Sequence, residues 1–249
     1  MIPIKTNKEI KIIAEGGKIL AEIMEELKKK VQPEVTTKEL NRVAETLIFK
    51  YKATSAFKDY DGFPSSLCTS VNNVIVHSVP SDYKLKQSDI ISLDLGIKYK
   101  GFFTDMAITM PVGEVSPEIL RFIRITKKSL KMGIKKARQG NTFNDIGNTI
   151  QRYIESQGFN VVRTLCGHGI GKELHEEPQI FNFGKRHTGF KIKQGMVFCI
   201  EPMVTMGEYD LKKSKDGFGF ETKDDSLSCH FEHTVVAEEK SAKVLTELK

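Results

Sequence analysis

Cysteine is scarce and scattered. Cys68, Cys166, Cys199 and Cys229 are the only four in 249 residues, with no CxxC pair, which excludes a disulfide scaffold and a zinc ribbon. That usage fits a reducing compartment, and a cytoplasmic protein is expected. No run approaches the roughly 20 consecutive apolar residues of a membrane span, and no tail cysteine offers a lipid anchor, so no membrane partner is expected. The segment Met1 to Lys8 lacks the apolar stretch of a secretory signal and leads directly into a helical pattern, so no targeting segment is expected. Linkers rich in Pro, Gly or Ser are also missing, which favours one α+β domain over 1–249. The excess of basic residues is small, 38 Lys+Arg against 32 Asp+Glu, and by itself names no partner. With 39% hydrophobic and 28% charged residues, the chain is neither collagen-like nor disordered, and it is long enough to bury a core.

What is present is a pattern used twice. Ile10, Ile13, Leu20, Met24 and Leu27 recur at helical spacing from Asn7, and the capping box Thr36-Thr37-Lys38-Glu39 opens a second helix through Leu40, Val43, Ala44, Leu47 and Ile48. Strands are expected around Val71 to Val76, at Ile90 to Ile97 and at Phe102 to Met110. The pattern restarts at Ser116-Pro117, an N-cap with an N1 proline, and runs as a helix to about Arg138 with Gly140 as its stop. Thr142 and Asp145 open another helix, through Ile146, Ile150 and Ile154 to Gly158. Strands are expected at Phe159 to Arg163, Met196 to Val204 and His230 to Ala237. The halves, about 1–112 and 113–249, read as a degenerate duplication without a residue-level repeat. A cleft between them is the natural site.

Four carboxylates interrupt apolar strand patterns. In Ile90-Ile-Ser-Leu-Asp-Leu-Gly96, alternation turns Leu93 and Leu95 one way and Asp94 the other. Asp105 lies across the next turn. A Tyr99-Lys100 loop would oppose it to Asp94 directly and a Lys100-Gly101 loop diagonally, and both registers put the two carboxylates on one face. Two close carboxylates repel unless protonated or bridged by a cation. Solvated, unpaired strands also fit these two residues. Glu201 in Met196-Val-Phe-Cys-Ile-Glu-Pro202 and Glu232 in Cys229-His-Phe-Glu-His-Thr234 form a second acidic pair. Each alone fits an exposed edge strand, a reading that weakens as the count reaches four.

His168, in Gly167-His-Gly-Ile-Gly171, suits either a metal-binding imidazole or a structural Gly-rich turn. A phosphate loop is excluded there, because Cys166 and Glu173 stand where glycine and Ser/Thr are required. His175-Glu-Glu-Pro178 cannot form an HExxH zinc helix, since proline breaks the turn, and His230-Phe-Glu-His233 is one residue short of the inverted motif. Four carboxylates and an imidazole make an oxygen-rich donor set whose −4 charge balances two divalent cations.

In the order Asp94, Asp105, His168, Glu201, Glu232, these residues resemble the ligand set of the pita-bread metallopeptidase family, and within it the type I methionine aminopeptidases. The similarity spans almost the whole chain. Its most specific words are Ser92-Leu-Asp-Leu-Gly96, Gly167-His-Gly-Ile-Gly-Lys-Glu-Leu-His-Glu-Glu-Pro-Gln179, Ile200-Glu-Pro202 and Glu221-Thr-Lys-Asp-Asp-Ser-Leu-Ser228 before Phe231-Glu-His-Thr234. The resemblance implies a pita-bread α+β fold, with helix, helix and strands twice around a central antiparallel sheet. It also implies removal of the initiator methionine from nascent chains and peptides with a small second residue.

Carried over, Asp94 would hold one metal ion, Asp105 and Glu232 would bridge two, and His168 and Glu201 would hold the other. Glu201 would also move the proton, while His77 and His175 would contact the scissile amide. A methionine pocket of Tyr60, Phe63, Cys68, Leu174 and Phe218 is implied, with departures at Leu174, where the family often has an aromatic, and at Phe218, where it often has Trp. His77 is followed by Ser78 rather than Gly. Co, Mn, Fe and Zn all fit the donors. Asn72, Val74 and Ser228 fall where some relatives bind a monovalent cation.

The 30 residues between Glu201 and Glu232 leave no room for the insertion of type II enzymes, and helix begins within ten residues of Met1, unlike the X-Pro peptidases of this fold. An X-Pro aminopeptidase and a non-catalytic ribosome- or RNA-binding module are the alternatives. Lys212, Lys213 and Lys215 form a basic stretch suited either to ribosomal contact or to a solvated loop. A monomer is expected.

Overall fold

The computed structural model describes residues 2–248. The first half carries α1 (Asn7–Lys28), α2 (Thr37–Lys50), β1 (Thr54–Ser55), β2 (Leu67–Val71), β3 (Val74–Val76), β4 (Ile90–Tyr99) and β5 (Phe102–Pro111). The second half begins with α3 (Pro117–Ile134) and α4 (Phe143–Ser156), followed by β6 (Asn160–Val161), β7 (Gly167–Gly169), β8 (Glu176–Ile180), β9 (Val197–Ile200) and β10 (Met203–Thr205). It ends with β11 (Leu211–Lys213), β12 (Phe220–Thr222), β13 (Ser228–His230), β14 (Glu232–Ala237) and β15 (Ala242–Val244). Helix, helix and strands do occur twice.

The largest sheet is antiparallel, in the order β1-β4-β5-β14-β9-β7-β8, with β2 also on β4 and β15 also on β14. Helices cover one face. Leu20, Met24 and Leu27 of α1 and Leu40 and Ala44 of α2 share a core with Ile91, Leu93 and Leu95 of β4. In the other half, Phe122 and Ile125 of α3 and Ile146 and Ile150 of α4 pack with Phe198 and Ile200 of β9 and Val235 of β14. Strand alternation then turns Asp94 and Glu232 away from the helices.

The duplication reaches further into the sequence than its periodicity suggests. Thr36 and Thr142 are the N-caps of α2 and α4, each closing a capping box, and they form isolated bridges to Lys84 and Lys191. Those lysines open Lys84-Leu-Lys-Gln87 and Lys191-Ile-Lys-Gln194, so a short residue-level repeat does exist. The same interval of 107 residues separates Lys84 from Lys191 and Asp94 from Glu201. Asp94 and Glu201 are thus corresponding positions of the two halves.

Several boundaries differ from the sequence expectation, among them that over His230 to Ala237, which is divided at Phe231 between β13 and β14. α3 stops at Ile134 rather than Arg138, because Lys136 and Ala137 donate their N–H groups to Gly133 and Ile134, three residues back, which tightens and ends the helix. Met196 to Val204 is split into β9 and β10 at Glu201-Pro202, where proline supplies no ladder donor. The strand expected over Phe159 to Arg163 shrinks to Asn160–Val161.

Candidate metal centre and substrate cleft

The hairpin between β4 and β5 sets the first carboxylate pair. Tyr99 faces Phe102, leaving Lys100-Gly101 as the two-residue loop, and both loop residues have positive φ, 48° and 86°, as a type I′ turn requires. Asp94 therefore faces Ala107 and Asp105 faces Gly96, the diagonal arrangement. Glu232 joins from β14, opposite Ala107. The backbone here is clamped: Thr234 Oγ1 donates to the Asp105 carbonyl (2.8 Å) and accepts from its N–H (3.0 Å).

His168 reaches the same place from β7. A Cβ at Gly167 would strike the Cys199 carbonyl, so glycine is what lets β7 approach β9 this closely. The His168 Nδ1–H donates to the Gly169 carbonyl at 2.9 Å, because a carbonyl only accepts, and this leaves Nε2 as the lone-pair nitrogen. Nε2 lies 3.7 Å from Glu201 Oε1 and 3.9 Å from Glu232 Oε1. All five residues read from sequence as a ligand set thus meet in one place.

The electrostatics of that meeting are severe. Burial, Asp105 and Glu201 push the Asp94 carboxyl well above the usual range. Burial pushes Asp105 up to about 7. Glu201 is raised by burial and by Asp105, and Glu232 by burial and by its three carboxylate neighbours. His168 and His230 are both held neutral, pushed down to about 3 mainly by burial. Asp94 Oδ1, Asp105 Oδ1 and Glu232 Oε1 are buried with no hydrogen-bond partner among the described residues. Donor atoms of Asp94, Asp105 and Glu232 lie within 4.8 Å of one another, as do those of Glu201, His230 and Glu232. Hard, partnerless oxygens at this density, with nitrogen at one side, fit divalent cations.

Above these groups opens a cavity of about 570 Å³, lined by all five and by Tyr60, Phe63, Cys68, His77, Leu174, His175 and Phe218. Every pocket residue expected from sequence borders it. Phe63 and Phe218 meet edge to face at 5.5 Å, and the Tyr60 hydroxyl lies 2.9 Å from His175 Nδ1. The His175 ring stands 4.4 Å from that of His168. Cys199 lies beside His168 and Glu232, but burial and the Glu232 charge hold its thiol protonated, so it is no nucleophile.

Sequence reasoning missed Asp216. Its carboxylate accepts from the N–H groups of Val79 (2.9 Å), Phe218 (3.0 Å) and Gly219 (2.8 Å), and from Ser78 Oγ (3.4 Å), tying the loop that carries His77 to the loop that carries Phe218. The hydroxyl of Ser78 joins this clamp. Asp216→Ala is expected to raise KM for a methionyl peptide about 10-fold with kcat changed less, as loss of charge-assisted hydrogen bonds that shape a pocket should. Equal KM values for wild type and variant in steady-state assays would remove that role.

His230 was also missed. It is 1% exposed, and its Nε2 lies 3.4 Å from Glu201 Oε2. Its position two residues before Glu232 in a strand pattern was the available signal.

Of the basic stretch, Lys212 pairs with Asp225 at 3.0 Å, Lys213 donates to the Phe218 carbonyl at 3.0 Å, and Lys215 is exposed. No described helix is long and apolar enough to cross a membrane.

The model of metallopeptidase family M24 matches residues 11–239. A methionine aminopeptidase of Clostridium perfringens is 47% identical over 249 residues, all of both chains, and methionine aminopeptidase 1 of Bacillus subtilis is 42% identical over 248 residues, again covering 100% of each. The crystal structure of methionine aminopeptidase from Thermotoga maritima superposes with a TM-score of 0.98 at 38% identity, covering 100% of both chains. The pita-bread architecture, the cluster of divalent-metal donors and these full-length similarities agree, and the chain belongs to metallopeptidase family M24.

Proposed function

We propose that the chain is a metal-dependent methionyl aminopeptidase that removes the initiator methionine from peptides and nascent chains with a small second residue. The observation that carries this reading is the convergence of four buried carboxylates and the free Nε2 of His168 beneath a mostly apolar cavity, in a chain whose full-length relatives bear that activity in their names. In this reading Asp94 would hold one divalent ion, Asp105 and Glu232 would serve two, and His168 and Glu201 would hold the second. Such ions would supply Lewis acidity for the scissile carbonyl and for an attacking water. Their identity among Co, Mn, Fe and Zn is left to availability.

The chain's own residues do the rest. Glu201 accepts the proton of the attacking water and delivers it to the departing amine. His77 and His175, at the mouth of the cleft, donate hydrogen bonds to the amide and its oxyanion. In this reading His175 is the tautomer protonated on Nε2, where the proton is available to substrate, and its Nδ1 accepts from the Tyr60 hydroxyl 2.9 Å away. Tyr60, Phe63, Cys68, Leu174 and Phe218 accept the methionine side chain, a polarisable thioether suited to aromatic and sulfur neighbours.

The whole chain acts as one catalytic domain with halves at about 1–112 and 113–249, as a cytoplasmic monomer. Ribosomal contact would rest on Lys215 first, because Lys212 and Lys213 are already engaged. A monovalent cation at Asn72, Val74 and Ser228 would have to compete with Ser228, whose N–H and hydroxyl both donate to the Asn72 carbonyl at 2.9 Å.

The test is hydrolysis of Met-Ala-Ser, Ala-Ala-Ser and Ala-Pro-Ser by chelated protein reconstituted with each metal separately. Methionine release restored by metal is expected. Preferential cleavage of Ala-Pro-Ser would move the chain to the X-Pro class, and no cleavage with any metal would favour the non-catalytic binding module; no specific observation favours either now.

A further inference from the structure

We propose that His230 is a positioning residue, whose Nε2–H donates to the outer oxygen of Glu201 and so turns the other oxygen of that carboxylate toward His168 and the metal centre. The inference rests on the role given to Glu201 above and adds a residue outside the five-ligand set.

The two imidazoles flank the Glu201–Glu232 pair on opposite edges. His168 Nε2 faces the Oε1 atoms of both, at 3.7 and 3.9 Å, while His230 Nε2 faces the Oε2 atoms of both, at 3.4 and 4.0 Å. Neither ring nitrogen of His230 has a hydrogen-bond partner among the described residues, its Nε2 stopping 3.4 Å from Glu201 Oε2, and its side chain is 2% exposed. A ring nitrogen whose nearest polar neighbours are two acceptor oxygens is stabilised when it carries the proton and repelled when it presents its lone pair.

The backbone that aims this ring is fixed. Thr109 Oγ1 donates to the His230 carbonyl at 2.7 Å and accepts from its N–H at 2.9 Å, and Ser92 Oγ shares that hydroxyl at 2.7 Å. β13 is further held against β10 with His230 opposite Met203. Glu201 itself sits in the break between β9 and β10, where Pro202 ends the ladder, so its carboxylate lacks the constraint of a strand and gains most from an outside partner. At 3.4 Å the pair falls short of a formed hydrogen bond, so the proposed contact requires the Glu201 carboxyl group to turn toward His230.

The experiment compares His230→Gln, His230→Leu and His230→Asn in the full chain. A glutamine amide reaches about as far as imidazole Nε2 and still donates, leucine fills the volume without donating, and asparagine is too short. Metal affinity by titration calorimetry, without substrate, is expected to stay within about 3-fold of wild type for Gln and to fall about 10- to 100-fold for Leu and Asn. The kcat for Met-Ala-Ser should follow the same order.

Pulsed EPR of manganese-loaded protein carrying isotope-labelled histidine is expected to count one directly bound imidazole. Two bound imidazoles, with Gln as damaging as Leu, would make His230 a ligand and overturn the proposal. Leu and Asn variants equal to wild type in affinity and kcat would overturn it as well. Failure of wild type itself to release methionine with any metal would count against the function proposed above, whereas the calorimetric comparison judges His230 separately. Thermal unfolding of the chelated variants reports whether each folds, and Gln against Asn suffices if Leu does not.

Discussion

Asp105→Asn is expected to lower methionine release by about 10³-fold or more at saturating metal, while leaving a folded protein. Asp105 is shared between two ions in the proposed arrangement, and a neutral amide replaces a charged oxygen donor at that point. Its backbone contacts do not depend on the side chain, because Thr234 clamps the N–H and the carbonyl. The same substitution is expected to raise the unfolding temperature of the chelated protein at pH 8. It removes one of four carboxylates whose burial and mutual repulsion hold them above their usual range. Activity and metal-free stability should therefore move in opposite directions. Retained turnover in a peptide assay, or a lower unfolding temperature for the chelated variant, would contradict this account.

The chelated wild-type protein is expected to lose stability between about pH 6.5 and 8.5, and divalent metal to restore it. A carboxyl group with a raised folded pKa contributes stability that is present below its unfolded value, near 4, and is lost as pH rises through the folded value. For Asp105 that value is about 7, and Asp94, Glu201 and Glu232 are shifted in the same direction. The buried histidines work oppositely. His168 and His230, each pushed down to about 3, and His233, pushed down to about 4, favour the folded state increasingly until the unfolded chain has finished releasing their protons, near pH 6.5. Below that pH the two trends oppose each other, and above it only the carboxylates remain.

A shift from 3.8 to about 7 at one residue is on the order of 4 kcal/mol in all, most of it lost between about pH 4 and 7, so Asp105 alone accounts for about 1 kcal/mol above pH 6.5, a fall of roughly 2–4 °C in unfolding temperature to which the other three carboxyls add. Scanning calorimetry of chelated protein across this range is the check. An unfolding temperature that rises or stays level from pH 6.5 to 8.5 without metal would show that the cluster does not carry the repulsion described.

Several features are legible in the amino-acid order itself. The capping boxes at Thr36 and Thr142 open helices because a Thr hydroxyl and a carboxylate three residues later satisfy free N–H groups locally. That Asp94 and Asp105 share a strand face is legible too, because both loops the sequence allows leave them on one side, while the structure selects Lys100-Gly101 and the diagonal register. The five-residue donor set is readable because its flanking words are specific, and each residue lies in the shared cluster.

Other features depend on neighbours that no short stretch of sequence displays. The shortened end of α3 comes from backbone bonds within its last turn, and the split at Glu201-Pro202 from a missing ladder donor that a run of apolar residues conceals. The repeat Lys84-Leu-Lys-Gln87 and Lys191-Ile-Lys-Gln194 stands out only because both lysines bridge to N-cap threonines. Asp216 and His230 act through partners more than a hundred residues away in sequence, at Val79 and Thr109, and no local pattern announces such pairs.

By itself, then, the sequence determined the helix starts, the strand faces that carry acid and the chemical type of each donor, because caps, alternation and side-chain chemistry act within a few residues. The tertiary structure alone decided that Asp94, Asp105, His168, Glu201 and Glu232 share one buried volume with His230 against its edge. Burial and the approach of charge across the sheet set their proton affinities, and both are properties of the packed chain.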